Sequence, residues 1–113
     1  MKKRLNELSN LEDGWYDGEG LAPTNVALYI AEEVATEVVA AFPSVKYGLY
    51  PMFDGGVEME MSTHTCDIDM EFGPGKQVEV RLETSVSEAT LKFTWPTPVV
   101  VIVAMIEAFV RGA

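Results

Sequence analysis

Hydrophobic positions follow a helical spacing near the start of the chain. Leucines recur at every third residue in the first segment, which predicts a short amphipathic helix over 3–11. A second helix is predicted over 25–42, because Thr24 is a suitable N-cap and Pro43 stops the helix. Its glutamates occupy one side, and its expected core-facing positions are Val26, Ile30, Val34, Val38 and Phe42.

The middle of the chain changes to a period of two. Apolar and polar residues alternate over 57–61, 66–72, 77–83 and 89–95. Such alternation predicts a four-stranded antiparallel meander with one buried and one solvated face. A fifth extended segment over 46–53 is expected to pair at one edge, since Pro51 limits its hydrogen bonding. The turn between this segment and the next strand is expected at Asp54, Gly55 and Gly56.

A third helix is predicted at the C-terminal end. Thr97 and Pro98 are typical of a helix start, and Arg111 and Gly112 of a helix end. A buried strand is the competing interpretation of this valine-rich segment, but its length and its end signals favour a helix. The whole chain, residues 1–113, is therefore expected to form a single α+β domain with its helices on one face of the sheet.

This last helix is apolar around nearly its whole circumference, so it must be covered on more than one side. Packing between the sheet and the second helix would cover it. Otherwise the uncovered side is expected to be the interface of a homodimer. The interface residues predicted for that case are Val99, Val103, Ile106 and Val110.

The formal net charge of −10 narrows the function classes. It argues against direct nucleic-acid binding, which needs clustered lysine and arginine, and it suits either a basic protein partner or simple solubility. Many of the acids fall on the polar face of the predicted sheet, where like charges on neighbouring strands are destabilising. The candidate partner-binding residues are Glu58, Glu60, Asp67, Asp69, Glu71, Glu79 and Glu83.

Catalytic and metal-binding patterns are weak. His64 and Cys66 lie close in sequence, but no third group is evident to orient them, and two soft ligands are too few for zinc. We therefore expect no enzyme activity and no cofactor. A single cysteine, no apolar run after the basic N-terminus and no apolar stretch of about twenty residues suggest a cytoplasmic protein without a membrane span.

The stretch "DGWYDGEG", residues 13–20, combines glycines, acids and aromatic residues. It lacks the spacing of a phosphate loop, and as a calcium loop it fails at two ligand positions. The favoured interpretation is a structural loop whose Trp15 and Tyr16 pack onto the core. The alternative is a small-ligand or metal site formed by Asp13, Asp17 and Glu19.

Two glycine-rich motifs also suggest a relationship. The first half of the chain resembles a group of small, uncharacterised bacterial, phage and mobile-element proteins that share a Gly-Trp-Asp-Gly-x-Gly turn and a Pro-x-x-Asp-Gly-Gly hairpin. The extra Tyr16 departs from the usual first turn. The resemblance implies a prokaryotic or phage source and brings no activity or ligand. The group also shares a Pro-Ser or Pro-Thr helix start, and the residues that carry the match here are Gly14, Trp15, Asp17, Gly18, Gly20, Pro23, Thr24, Pro51, Asp54, Gly55 and Gly56. The structural loop residues predicted among them are Trp15, Asp17, Gly18, Gly20, Asp54, Gly55 and Gly56.

The sequence therefore predicts a non-enzymatic, acidic protein-binding module. Its expected partner is a basic, nucleic-acid-handling protein, which it would inhibit or regulate through the carboxylates of the sheet. The alternative prediction is a small-ligand or metal-binding domain that uses the loop at 13–20.

Overall fold

The computed structural model describes residues 1–43 and 45–112. It confirms the α+β fold, with two helices, a five-stranded antiparallel sheet and a final helix in chain order. The elements are α1 (Lys2–Ser9), α2 (Asn25–Ala41), β1 (Lys46–Pro51), β2 (Val57–Ser62), β3 (Asp67–Phe72), β4 (Gln77–Glu83), β5 (Glu88–Thr94) and α3 (Val99–Arg111).

Each strand pairs with its neighbour in the chain, so the sheet is a simple meander in the order β1-β2-β3-β4-β5. The fifth extended segment is confirmed as the edge strand β1, and Pro51 pairs with Val57 at its end. An edge strand tolerates proline because it needs hydrogen bonds on one side only. The predicted turn at residues 54–56 lies between β1 and β2.

The inner face of the sheet carries the apolar side chains of the alternating strands, and the helices cover it. α2 contacts β2 and β3, α1 packs against β1 and α2, and α3 packs against α2. Arg4 of α1 also donates a 2.9 Å hydrogen bond to the backbone carbonyl of Leu49. The largest fully buried sheet residues are Leu49, Met59, Ile68, Met70, Phe72 and Leu82.

α2 begins as predicted, because the Thr24 hydroxyl accepts a 3.0 Å hydrogen bond from the Ala27 amide. The predicted position of Val26 in the core is wrong, since 41% of its side chain is exposed. The buried face of α2 instead includes Ala27, Ala31 and Ala35. Val26 precedes Ala27 by one position, so it lies about 100° around the helix from this buried row.

α3 is a helix, as favoured over a strand, but two predictions about it need correction. The Thr97 hydroxyl donates to the Thr94 carbonyl at 2.7 Å, and α3 has no side-chain cap at its start. Ile106 is fully buried within the chain, so it cannot form a dimer interface.

The other three predicted interface residues of α3 are half-buried against the core: Val99, Val103 and Val110. The exposed apolar residues of α3 are different ones, Val100, Val101 and Met105, with Val100 74% exposed. These residues add to the surface of α3 that a second copy could contact, and the dimer interface stays a prediction for Val99, Val103 and Val110. In the described ranges, no helix combines the length and apolarity that a membrane crossing requires.

Candidate functional site

The outer face of the sheet gathers every carboxylate that the sequence suggested as partner-binding. Strand register places them in rows that cross the strands. Glu58, Glu71 and Glu79 lie directly opposite one another on β2, β3 and β4. Glu60 lies opposite Asp69, and Asp67 opposite Glu83. We call this surface the carboxylate face, and its residues are Glu58, Glu60, Asp67, Asp69, Glu71, Glu79 and Glu83.

The surroundings of Glu58 on this face disfavour its ionised form. Partial burial of its carboxyl group raises its pKa above the ordinary value of 4.5, and the nearby negative charges of Glu60, Asp69 and Glu71 raise the pKa further. Burial and like charges both disfavour the ionised form. Glu58 is therefore the position at which the neighbouring negative charges oppose ionisation.

Two cationic side chains relieve part of this repulsion. Arg81 on β4 lies 3.3 Å from a Glu71 carboxylate oxygen and 3.5 Å from a Glu79 oxygen. Lys92 on β5 lies opposite Glu79 in the strand register. Both cations lie towards the β5 side of the face, and a third cation, Lys46, lies at its β1 edge opposite Ser62. Among the described residues, no salt bridge reaches Glu58, Glu60 or Asp69.

Two residues of this surface were missing from the sequence-based set. Tyr50 lies opposite Glu58 on β1, and its ring folds across Gly48, whose position leaves room for it. Glu88 lies opposite Glu83 on β5 and adds another acid to the edge of the face. The sequence could have indicated the position of Tyr50. Neighbouring side chains of a strand point to opposite faces, and Tyr50 directly follows the core residue Leu49.

The loop at 13–20 folds into a small hairpin. Tyr16 and Glu19 exchange two backbone hydrogen bonds, each 2.9 Å long. Asp17 and Gly18 form the turn between them with φ values of 51° and 88°. Positive φ at both central residues is the requirement of a type I′ hairpin turn, for which Asp-Gly is a favoured pair.

Trp15 partly follows the structural prediction, and Tyr16 does not. The Trp15 ring packs against Gly20 so closely that a Cβ atom there would lie 2.8 Å from it. Its indole N–H donates a 2.9 Å hydrogen bond to the Leu21 carbonyl. Tyr16, in contrast, is 59% exposed, so the prediction that it packs onto the core is wrong.

The second glycine motif joins this hairpin to the sheet. An Asp54 oxygen accepts a 2.9 Å hydrogen bond from the Gly56 amide, which fixes the turn between β1 and β2. The Leu21 and Thr24 amides then donate to the carbonyls of Phe53 and Gly55, both at 2.9 Å. The two motifs that carry the resemblance are thus bound to each other in space.

His64 and Cys66 lie in and beside the connection between β2 and β3. His64 is exposed, whereas Cys66 is 3% exposed. Burial raises the pKa of the Cys66 thiol. Because the thiolate is the reactive form, this environment does not activate the sulfur as a nucleophile.

The alternative prediction of a metal site gains no support from the geometry. In the part of the chain that the structure describes, no three His, Cys, Asp or Glu side chains are grouped so that they could hold a metal ion. One oxygen of Asp13 accepts a 2.8 Å hydrogen bond from the Ala22 amide, which closes the base of the hairpin.

Comparison with known proteins adds no relative: no family model, curated protein or solved structure matches this chain.

Proposed function

We propose that this protein is a non-enzymatic binding module that presents its carboxylate face to a basic surface of a protein partner. The observation that carries the proposal is the strand register, which aligns Glu58, Glu71 and Glu79 side by side across three strands. Neighbouring strands lie about 4.8 Å apart, so these carboxylates are held close together.

Such an arrangement opposes folding. Like charges directly opposite one another destabilise a sheet, whereas an opposite-charge pair such as Glu79 and Lys92 stabilises it. A solubilising role would be served equally well by acids spread over the surface, as on α2 with Glu32, Glu33 and Glu37. A binding role accounts for the concentration of acids on one face, because a cationic partner relieves the repulsion when it binds.

The chemistry of the face indicates the kind of partner. It forms a dense array of negative charge, and a protein groove lined with lysine and arginine for phosphate binding is complementary to it. We therefore propose a partner that handles nucleic acid, with this protein competing for its basic groove. The resemblance described above supports, within the same proposal, a regulator or inhibitor encoded on a mobile element.

Two charge-matched variants test the proposal. The sheet variant carries Glu58→Gln, Glu60→Gln and Asp69→Asn, and the helix variant carries Glu32→Gln, Glu33→Gln and Glu37→Gln. Both remove three negative charges, but only the first changes the carboxylate face. Tagged protein is used to capture basic DNA-binding proteins from a bacterial extract, and the captured proteins are then purified and their affinities measured.

The expected result is a loss of at least about tenfold in affinity for the sheet variant and less than about twofold for the helix variant. Double-stranded DNA and raised salt should both displace the partner, because each competes with or screens the carboxylates. Equal losses in the two variants, or binding that is indifferent to salt and DNA, would show that the carboxylate face is only a solvated surface.

A further inference from the structure

A second surface shares no residue with the carboxylate face and is formed by three aromatic rings. Trp15 and Tyr16 come from the hairpin at 13–20, and Phe53 comes from the turn between β1 and β2. The ring centroids lie 5.9 Å apart for Trp15 and Tyr16, and 5.5 Å apart for each of these rings and Phe53. We call these three residues the aromatic cap.

The outer rings of this cap are more than half exposed to solvent. Tyr16 is 59% and Phe53 56% exposed, and the neighbouring Leu21 is 53% exposed. The two loops are already joined by backbone hydrogen bonds, from Leu21 to Phe53 and from Thr24 to Gly55. The two loops are therefore held together without the exposed aromatic rings. Burial of these rings by a partner would be favourable.

The negative charge beside the cap indicates what the rings bind. Tyr16 and Glu19 form a hydrogen-bonded antiparallel pair, so their side chains lie on the same side of the hairpin, with Cβ atoms about 5 Å apart. Asp17 lies between them at the turn. Among the described residues, neither Asp17 nor Glu19 takes part in a salt bridge.

We propose that the aromatic cap, together with Glu19, binds an arginine side chain of a protein partner. A planar guanidinium group stacks on an aromatic ring and at the same time donates two parallel hydrogen bonds to a carboxylate. A lysine ammonium lacks that planar, bidentate geometry. A phosphate-bearing ligand would be repelled by the acids of the hairpin. This site is independent of the proposed function of the carboxylate face.

Nuclear magnetic resonance of the two indole N–H groups tests the proposal without an identified partner. The Trp15 indole lies within the cap, whereas Trp95 packs near Tyr29, with ring centroids 6.4 Å apart, and serves as an internal control. The probe is acetyl-Gly-Arg-Gly-amide. The control probe has citrulline in place of arginine, which keeps the shape of the side chain and removes its charge.

The arginine peptide is expected to shift the Trp15 signal saturably, with a dissociation constant on the order of millimolar, and to leave Trp95 unchanged. The citrulline peptide should produce no saturable shift. Tyr16→Ala and Glu19→Gln should each weaken binding by about threefold, and the double variant by about tenfold. Glu37→Gln, which removes an exposed carboxylate from α2, should have no effect.

The proposal is overturned if the Trp15 signal does not move, or if it moves equally with both peptides. It is also overturned if the Tyr16 and Glu19 variants respond to the arginine peptide as strongly as the unchanged protein does. Glu19→Gln keeps the backbone pairing of the hairpin, so it separates loss of binding from loss of structure. The peptide assay contains no partner protein, so its outcome does not depend on the capture experiment. If the arginine peptide binds but the carboxylate face captures no protein, only the proposed function is rejected. Capture that depends on the carboxylate face, with no response to the peptide, rejects the arginine site alone.

Discussion

The two faces of the sheet differ in what each does for the fold. On β3, Ile68, Met70 and Phe72 point inwards and are fully buried, while Asp67, Asp69 and Glu71 alternate with them on the outside. The inner residues stabilise the protein through removal of apolar surface from water. The outer acids repel one another and oppose folding. Stability and the candidate binding surface therefore depend on different residues of the same strands.

The largest expected effect comes from the inner face. Met70→Ala should lower the free energy of unfolding by about 2–5 kcal/mol, because it removes buried atoms and leaves a cavity at the centre of the sheet. Urea denaturation followed by circular dichroism measures the change. Thr90→Ala on the outer face of β5 is the control, with an expected change within about 0.5 kcal/mol. Similar losses in the two variants would contradict the division between the faces.

An intermediate effect is expected at Arg81 on the outer face. Arg81→Ala removes the cation that lies between Glu71 and Glu79, and it should lower the free energy of unfolding by about 1 kcal/mol. Arg111→Ala is the matched control, since its pair with Glu107 lies along the surface of α3 at 3.0 Å. Arg111→Ala should lower the free energy of unfolding by less than about 0.5 kcal/mol. A larger loss at Arg111 would mean that repulsion on the carboxylate face is unimportant.

The smallest expected effect has the opposite sign. Glu58→Gln should raise the free energy of unfolding at pH 7 by about 0.5 kcal/mol, because it removes a carboxylate that is partly buried and belongs to a row of like charges. Thermal melting at fixed ionic strength measures the gain. Glu37→Gln on α2 controls for the change in net charge and should shift the melting temperature less.

The same variant should show a defined pH dependence, because partial burial and the neighbouring negative charges both disfavour the ionised Glu58 carboxylate. The folded protein holds the Glu58 proton more tightly than the unfolded chain, because the folded pKa lies above the ordinary value of 4.5. Protonation therefore stabilises the fold, and that stabilisation is lost as the pH rises through the folded pKa. The advantage of Glu58→Gln should shrink as the pH falls from 7 towards 4.5. If the difference in free energy of unfolding between the two proteins is constant over this range, the ionised Glu58 carboxylate does not destabilise the fold.

Much of the sheet was predictable from its sequence because its two faces are so different. Apolar and polar residues alternate strictly through β2, β3 and β4, and this period of two determines which side of each strand faces the core. The helix cap at Thr24 was also predictable, since a threonine hydroxyl can accept from the first turn of a helix. These signals are local, so no knowledge of the tertiary structure was needed.

Other features depend on contacts that a linear pattern does not contain. α3 is apolar all round, and its periodicity therefore did not show that Ile106 is buried while Val100 and Met105 are exposed. The aromatic cap arises because the β1–β2 turn brings Phe53 to a loop that is distant in sequence. Tyr16 was for the same reason assigned to the core rather than to the surface.

The meander also determines when the acids of the sheet first meet. Every strand pairs with its neighbour in the chain, and such short-range pairings form early because little entropy is lost in closing their loops. The Arg4 contact with Leu49, in contrast, spans 45 positions. We expect carboxylates on β2, β3 and β4 to approach one another before α1 docks on the sheet. Their repulsion then slows the folding rate itself, and neutralising it should speed folding more than it slows unfolding.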